Sequence, residues 1–228
     1  MLSEFLQKNT LIFDLDGTLL DTLNDLADST NYALRQHNLP ACTLNEVRQF
    51  VGNGVGKLIR RAVPDNTPDN ATAAVFQCFK AHYAQHCMDK TQMYPGVREM
   101  LASFHATGYK LAIVSNKLQS AVDELHERFF KQWVQVAVGE REGLQRKPAP
   151  DMVTEALKAL HATPAEAVYV GDSEVDLATA RNAALPCISV LWGFREQEFL
   201  KAHGAERFAK TPADVVSLII SDKTQPRL

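Results

Sequence analysis

Five short apolar runs constrain the fold of this chain more than any other feature: LIF at 11–13, LAIVS at 111–115, VQVAV at 134–138, AVYV at 167–170 and CISVL at 187–191. Each is mostly aliphatic or β-branched without polar alternation, the pattern of a strand buried on both faces in a parallel sheet. Helical patterns lie between them. PGVREMLASFHATG sets Val97, Met100, Leu101 and Phe104 at helical spacing between Pro95 and Gly108, and DMVTEALKALHATP repeats this with Val153, Ala156, Leu157 and Leu160 before Pro164. Strand and helix in alternation predict an α/β fold, a Rossmann-like doubly wound parallel sheet.

The alternation breaks once. From Leu19 to Lys90 no strand run occurs, and helical spacing recurs at Leu23, Leu26, Thr30, Ala33 and Leu34, at Val47, Phe50 and Val51, and at Val75, Phe76, Phe79 and Tyr83. The TLNE at 43–46 has the spacing of a capping box. The stretch is too long for an ordinary crossover helix. It predicts an all-helical subdomain at 19–90, inserted into a core made of 1–18 and 91–228.

Composition narrows the function classes. The 228 residues are 46% hydrophobic, enough for a sizeable core, and 24 Lys plus Arg against 27 Asp plus Glu leave a net charge of −3. That balance offers no basic field for nucleic acid and no polybasic tract for a membrane surface. No run approaches the ~18 apolar residues of a membrane span. Cys42, Cys78, Cys87 and Cys187 have neither zinc-site spacing nor the density of a disulfide framework. With an N-terminus, MLSEFLQKNT, unlike a secretory signal, the chain reads as soluble and cytoplasmic, as a monomer or a homodimer.

The residues that end the strand runs carry the chemistry. In an open parallel sheet the ligand crevice lies beyond the carboxyl ends of the strands, and there stand Asp14 and Asp16, then Ser115, Asn116 and Lys117, then Gly171 and Asp172. Carboxylates gathered in one crevice repel each other unless a cation sits among them, and hard oxygen donors suit Mg2+. Magnesium held this way shares a phosphate oxygen with its substrate, so a small phosphorylated metabolite is the expected partner. Lys147, the Ser115 hydroxyl and loop N–H groups supply the positive charge and donors that a phosphoryl group needs. Singly, each residue has a plainer role: Asp172 as a helix N-cap, Ser115–Asn116 as a turn, Lys147 as a solvated cation. Their joint placement on successive strand ends carries the functional reading.

DLDGTLLDT, IVSNK, KPAP and VGDSEVDLATARNA resemble, in order, the four motifs of the haloacid dehalogenase superfamily, whose Rossmann-like core often carries a helical cap inserted after the first motif. The resemblance implies that Asp14 is a nucleophile forming an aspartyl-phosphate, and that Asp16 is the general acid and then base, its backbone carbonyl also ligating Mg2+. It implies that Ser115 and Lys147 hold the phosphoryl group, with Thr18 and Asn116 also at the substrate. Asp172 would ligate the metal directly and Asp176 would support it or bind through water. Relatives that dehalogenate lack the second aspartate, so Asp16 argues against dehalogenation.

Substrate choice in this family lies largely in the cap. VGNGVGKLIRRA at 51–62 resembles the cap loop of the phosphoglycolate phosphatase subgroup, which puts Gly52, Asn53, Gly54 and Lys57 at the substrate; MYPGV at 93–97 and LWGFR at 191–195 resemble the same subgroup. Without the resemblance, Gly52–Gly54 reads as a helix–helix turn followed by a solvated basic face. The alternatives are a β-phosphoglucomutase-like phosphotransferase, a pyrophosphatase, a sugar-phosphate or nucleotide phosphatase, or a phosphonoacetaldehyde hydrolase needing a cap lysine such as Lys57. Outside enzymes stands a receiver-like signalling module.

Overall fold

The computed structural model describes Phe5, residues 7–52 and residues 54–224, the last four by backbone alone. In chain order its elements are β1 (Thr10–Phe13), β2 (Leu20–Asp21), α1 (Leu23–Gln36), α2 (Leu44–Phe50), α3 (Val55–Ala62), α4 (Asp69–His86), β3 (Gln92–Met93), α5 (Val97–Ala106), β4 (Lys110–Leu118) and α6 (Gln119–Leu125). There follow β5 (Val136–Glu140), α7 (Asp151–Ala159), β6 (Ala167–Gly171), α8 (Glu174–Asn182), β7 (Cys187–Val190), α9 (Gln197–Ala202), β8 (Phe208–Ala209) and α10 (Pro212–Thr224).

The main sheet has six strands in the order β5-β4-β1-β6-β7-β8, every neighbouring pair parallel. All four residues of β1 are fully buried, which is why the run shows no polar alternation. Ile12, Val114, Val138, Met152, Val153 and Tyr169 pack one core cluster between strands and helices, and α5 and α10 pack together elsewhere on the same unit. Burying each large aliphatic or aromatic side chain contributes about 1.5–3 kcal/mol, and these contacts hold the sheet. From β1 the chain proceeds to β4 on one side, from β6 to β7 on the other. The connections therefore diverge between β1 and β6, where a doubly wound sheet opens its crevice.

The chain divides into two compact units, Met1–Leu19 with Met93–Leu228, and Leu20–Gln92. The second is helical and has its own core of Leu34, Val47, Leu58, Val75 and Phe79, every one nearly or fully buried. The capping box at α2 is formed: the Thr43 N–H donates to Glu46 at 2.7 Å and the Glu46 N–H donates to the Thr43 hydroxyl at 3.2 Å. β2 and β3 pair with each other where the chain passes between the units. Within the first unit the Tyr94 N–H donates to the Leu19 carbonyl at 3.2 Å, so the points of exit and return are directly bonded.

Several expectations shift. The stretch expected to be all-helical also contains the two-residue strand β2, too short to leave a pattern, and β4 runs to Leu118, three residues past its apolar run, through polar residues. The strand foreseen at 134–138 runs from Val136 to Glu140, because the Val134 N–H is taken by the Phe130 carbonyl of the turn that follows α6. The edge strand β8 has only two residues, too few to show a period in the sequence. Among the described residues no helix is long and apolar enough to cross a membrane.

Asp25 emerges as a structural carboxylate. Buried in α1, it accepts the Lys90 N–H at 2.9 Å and the Thr91 N–H and hydroxyl at 2.8 Å each, pinning the segment after α4 to the first helix. Asp25→Ala strands these donors, so it is expected to lower the urea-unfolding free energy by about 2–4 kcal/mol, against a much smaller loss for the solvent-exposed Asp69→Ala.

Candidate active site

The site is built where β1 and β6 end side by side. The Asp14 N–H extends the ladder by donating to the Val170 carbonyl at 2.9 Å, which fixes the first carboxylate one residue beyond the strand. Leu15 turns back into the core and is almost fully buried, so Asp14 and Asp16 emerge with different surroundings. Gly17 then takes φ +92°, and a Cβ there would stand 2.5 Å from Asp172 Oδ2, so this turn admits only glycine.

The buried ammonium of Lys147 is the hub. It donates to Asp14 Oδ1 at 2.6 Å, to Asp176 Oδ1 at 2.8 Å and to the Tyr169 hydroxyl at 3.1 Å. Burial works to lower its pKa, but Asp14 and Asp176 outweigh it and hold the group charged well above the ordinary lysine range. The backbone beneath is gripped by Asn116, whose amide oxygen accepts the Lys147 N–H at 2.8 Å and whose amide nitrogen donates to the Lys147 carbonyl at 3.1 Å. The Lys147–Pro148 peptide that follows is cis.

Asp176 does two things with one carboxylate. Its Oδ1 faces Lys147, while its Oδ2 accepts the Ser173 N–H at 3.0 Å and hydroxyl at 2.6 Å, completing a capping box on α8. Asp172 receives the Thr18 hydroxyl on Oδ1 at 3.2 Å and the Phe194 N–H on Oδ2 at 2.7 Å. The loop around Phe194 comes this close because Gly193 has no side chain: a Cβ there would lie 2.4 Å from Asp172 Cβ. Thr18 is anchored in turn, its carbonyl accepting the Trp192 indole N–H at 2.9 Å.

Asp14, Asp172 and Asp176 offer carboxylate oxygens all within 4.8 Å of one another, and all three are buried. Ionised together, three carboxylates against the single ammonium of Lys147 would leave two negative charges unbalanced among these groups. Burial, then the neighbouring Asp176, pushes the Asp14 carboxyl well above its usual range, against the pull of Lys147. The same two causes raise Asp172 to about 7. A hard divalent cation matches both the charge deficit and the all-oxygen donor set, so the residues fit a metal of that class.

β4 ends differently. Its pairing with β5 shifts register between Val114 and Leu118, an irregularity that re-aims the side chains of Ser115–Lys117. Ser115 is buried, its hydroxyl accepting the Lys117 N–H at 3.2 Å. The Lys117 ammonium reaches both oxygens of Asp16, at 3.0 and 3.2 Å.

The core candidates therefore form two bonded groups side by side, Asp14–Lys147–Asp176 with Asn116 behind Lys147, and Thr18–Asp172, whose carboxylate oxygens lie within 4.8 Å of those of Asp14 and Asp176, while Asp16 is held by Lys117. Gly52, Gly54 and Lys57 belong to the helical unit, where Gly54 caps α3 at φ +81° and Lys57 is exposed; Asn53 lies outside the described residues. Two participants escape the sequence reading: Tyr169 looks like one more apolar residue of its strand and Gly193 like a plain turn, while Lys117 stands there among the strand-end residues without a role of its own. Only a tyrosine two residues before the Gly171–Asp172 pair gave any hint, since a buried hydroxyl needs partners.

Comparison with known proteins comes in three parts. The family model for haloacid dehalogenase-like hydrolases matches residues 11–190. A phosphoglycolate phosphatase of Mesorhizobium japonicum is 34% identical over 191 residues, covering 82% of this chain and 84% of that protein. One of Pseudomonas syringae pv. syringae is 33% identical over 215 residues, covering 90% of this chain and 75% of that protein. A solved structure from Lactobacillus delbrueckii subsp. bulgaricus, whose name as a phosphoglycolate phosphatase is itself an inference, superposes with a TM-score of 0.90 at 36% identity, covering 93% of this chain and 98% of that one.

Two outcomes follow from the geometry. A Cβ at Gly171 would stand 2.4 Å from Asp176 Cβ, so Gly171→Ala must push the first turn of α8 away and is expected to cost about 1–3 kcal/mol in chemical unfolding. A carboxyl that binds its proton more tightly folded than unfolded stabilises at low pH and loses that contribution as pH rises. With a chelator present, stability is therefore expected to fall between about pH 4 and pH 7 through Asp172, and Asp172→Asn to flatten the slope measured by urea titration.

Proposed function

The chain belongs to the haloacid dehalogenase-like hydrolases and is a phosphatase; from that footing we propose that it is a Mg2+-dependent hydrolase of 2-phosphoglycolate, working through an aspartyl-phosphate on Asp14. The observation that carries the mechanism is the buried Asp14–Lys147–Asp176 network beside Asp172, three carboxyl groups around one ammonium at the divergence of β1 and β6. The substrate rests on the named activity of the relatives, which this chain matches over most of its length.

Asp14, Asp172 and the Asp16 carbonyl would hold Mg2+, with Asp176 behind them; once bound, the ion neutralises phosphoryl oxygens and draws off the charge that opposes attack. Lys147 lies against the Asp14 carboxylate, so it serves both to keep the nucleophile in place and to receive phosphoryl charge. An Asp14 oxygen bonds to phosphorus as the ester P–O bond breaks, and the alcohol oxygen takes a proton from Asp16. Water then attacks phosphorus, giving its proton to Asp16, and the bond to Asp14 breaks to release phosphate. Splitting one displacement into two is the gain from a carboxylate nucleophile. The buried Ser115 hydroxyl, on the adjacent strand β4, would donate to a phosphoryl oxygen.

Asp14→Asn and excess chelator are each expected to take hydrolysis to assay background, and 2-phosphoglycolate to lead a panel of sugar phosphates, pyrophosphate and nucleoside monophosphates in kcat/KM. Turnover surviving either treatment would refute the mechanism; a different leader would refute the substrate. Asp16→Asn is expected to lower kcat on alkyl phosphates by about 10²–10⁴-fold. A stopped-flow burst of p-nitrophenol should persist in that variant, because so good a leaving group departs without a proton.

A further inference from the structure

We infer that Lys117 is a specificity residue of the core, receiving an anionic group carried by the alcohol that leaves; the inference rests on the reading of the site as a phosphatase acting on 2-phosphoglycolate. The geometry runs through Asp16. A general acid must come within about 2.6–3.2 Å of the oxygen it protonates, so the ester oxygen of any substrate lies against the Asp16 carboxylate. The Lys117 ammonium is 3.0 and 3.2 Å from the two oxygens of that same carboxylate. The first atoms beyond the ester oxygen therefore fall within one side chain's reach of a cation. In 2-phosphoglycolate these atoms are a methylene and a carboxylate.

Two other buried cations near this end of the sheet have partners of their own. Lys147 is enclosed by Asp14, Asp176 and Tyr169, and Arg195 is bonded through Nε to Glu174 at 2.9 Å. Lys117 is nearly as buried as Lys147, with a side chain 8% exposed, and its partner Asp16 is 19% exposed. A substrate arriving from the open side meets an ammonium that has already lost most of its water, where a charge-assisted hydrogen bond is worth more than at a free surface. The flexible stem lets the ammonium engage a second carboxylate while remaining near the first. The placement also has a local cause: the register shift in β4 and the bare backbone of Gly139, where a Cβ would stand 2.8 Å from the Lys117 carbonyl, turn this residue toward β1.

The test compares 2-phosphoglycolate with ethyl phosphate, which has a methyl where the carboxylate stands, in wild type, Lys117→Met and Lys117→Arg. Wild type is expected to favour 2-phosphoglycolate in kcat/KM. Lys117→Met is expected to shrink that preference about 10- to 100-fold, chiefly through KM for the acidic ester, and Lys117→Arg to restore part of it. Calorimetric Kd values for the two esters in an Asp14→Asn background, with and without Lys117→Met, read the same preference without turnover. An equal loss on both esters, or an unchanged preference, overturns the inference while leaving the substrate reading intact. A wild type that does not favour the acidic ester overturns the substrate reading itself.

Discussion

One buried ammonium organises the carboxylate-bearing end of the sheet. Three carboxylates would not stay together at the end of a dry sheet without a cation, and Lys147 supplies it in hydrogen-bonded contact with two of them. Its position depends on almost every neighbouring element. Asn116 at the end of β4 holds its backbone, Tyr169 from β6 meets it from below, and Asp176 reaches it from α8. Because Asp176 is also the helix cap, the electrostatics of the site and the start of α8 are one arrangement. A shift in either displaces the other.

That arrangement explains how strand order becomes chemistry. β1 and β6 are adjacent in the sheet but separated by most of the chain, and their ends bring Asp14 and Asp172 into one cluster. The glycines at 17 and 193 let the chain approach Asp172 closely enough to clamp it with a hydroxyl and a backbone N–H. Asp172 is thereby held in place before any ligand arrives, which is what preorganised charge stabilisation requires.

Much of this was legible in the sequence, and the boundary of legibility has a physical sense. Strands buried on both faces leave uniform apolar runs, so β1, β6 and β7 could be read to within a residue, while the polar end of β4 runs three residues past its apolar run. Val134 was misplaced because a backbone bond to Phe130, invisible in side-chain pattern, ends the preceding turn there. The charged strand ends were legible as candidates because like charges in a row demand an explanation. What escaped was importance that is relational: the grip of Asn116, itself a candidate, on another residue's backbone, that of Tyr169 through its hydroxyl, and that of Asp25 through donors more than sixty residues away in sequence. Gly171 and Gly193 matter for atoms they lack, and no period records an absence.

The hydrogen bond between Leu19 and Tyr94 bears on how such a molecule can change over time. It joins the two ends of an excursion, so the helices between them close a loop whose anchors the core already holds. The residues that pair β1 with β4 and with β6 all lie outside that loop. A lineage can lengthen, replace or reshape the excursion wholesale and inherit the phosphoryl chemistry unaltered. In that sense the molecule separates what must be conserved from what is free to diversify at a single backbone contact.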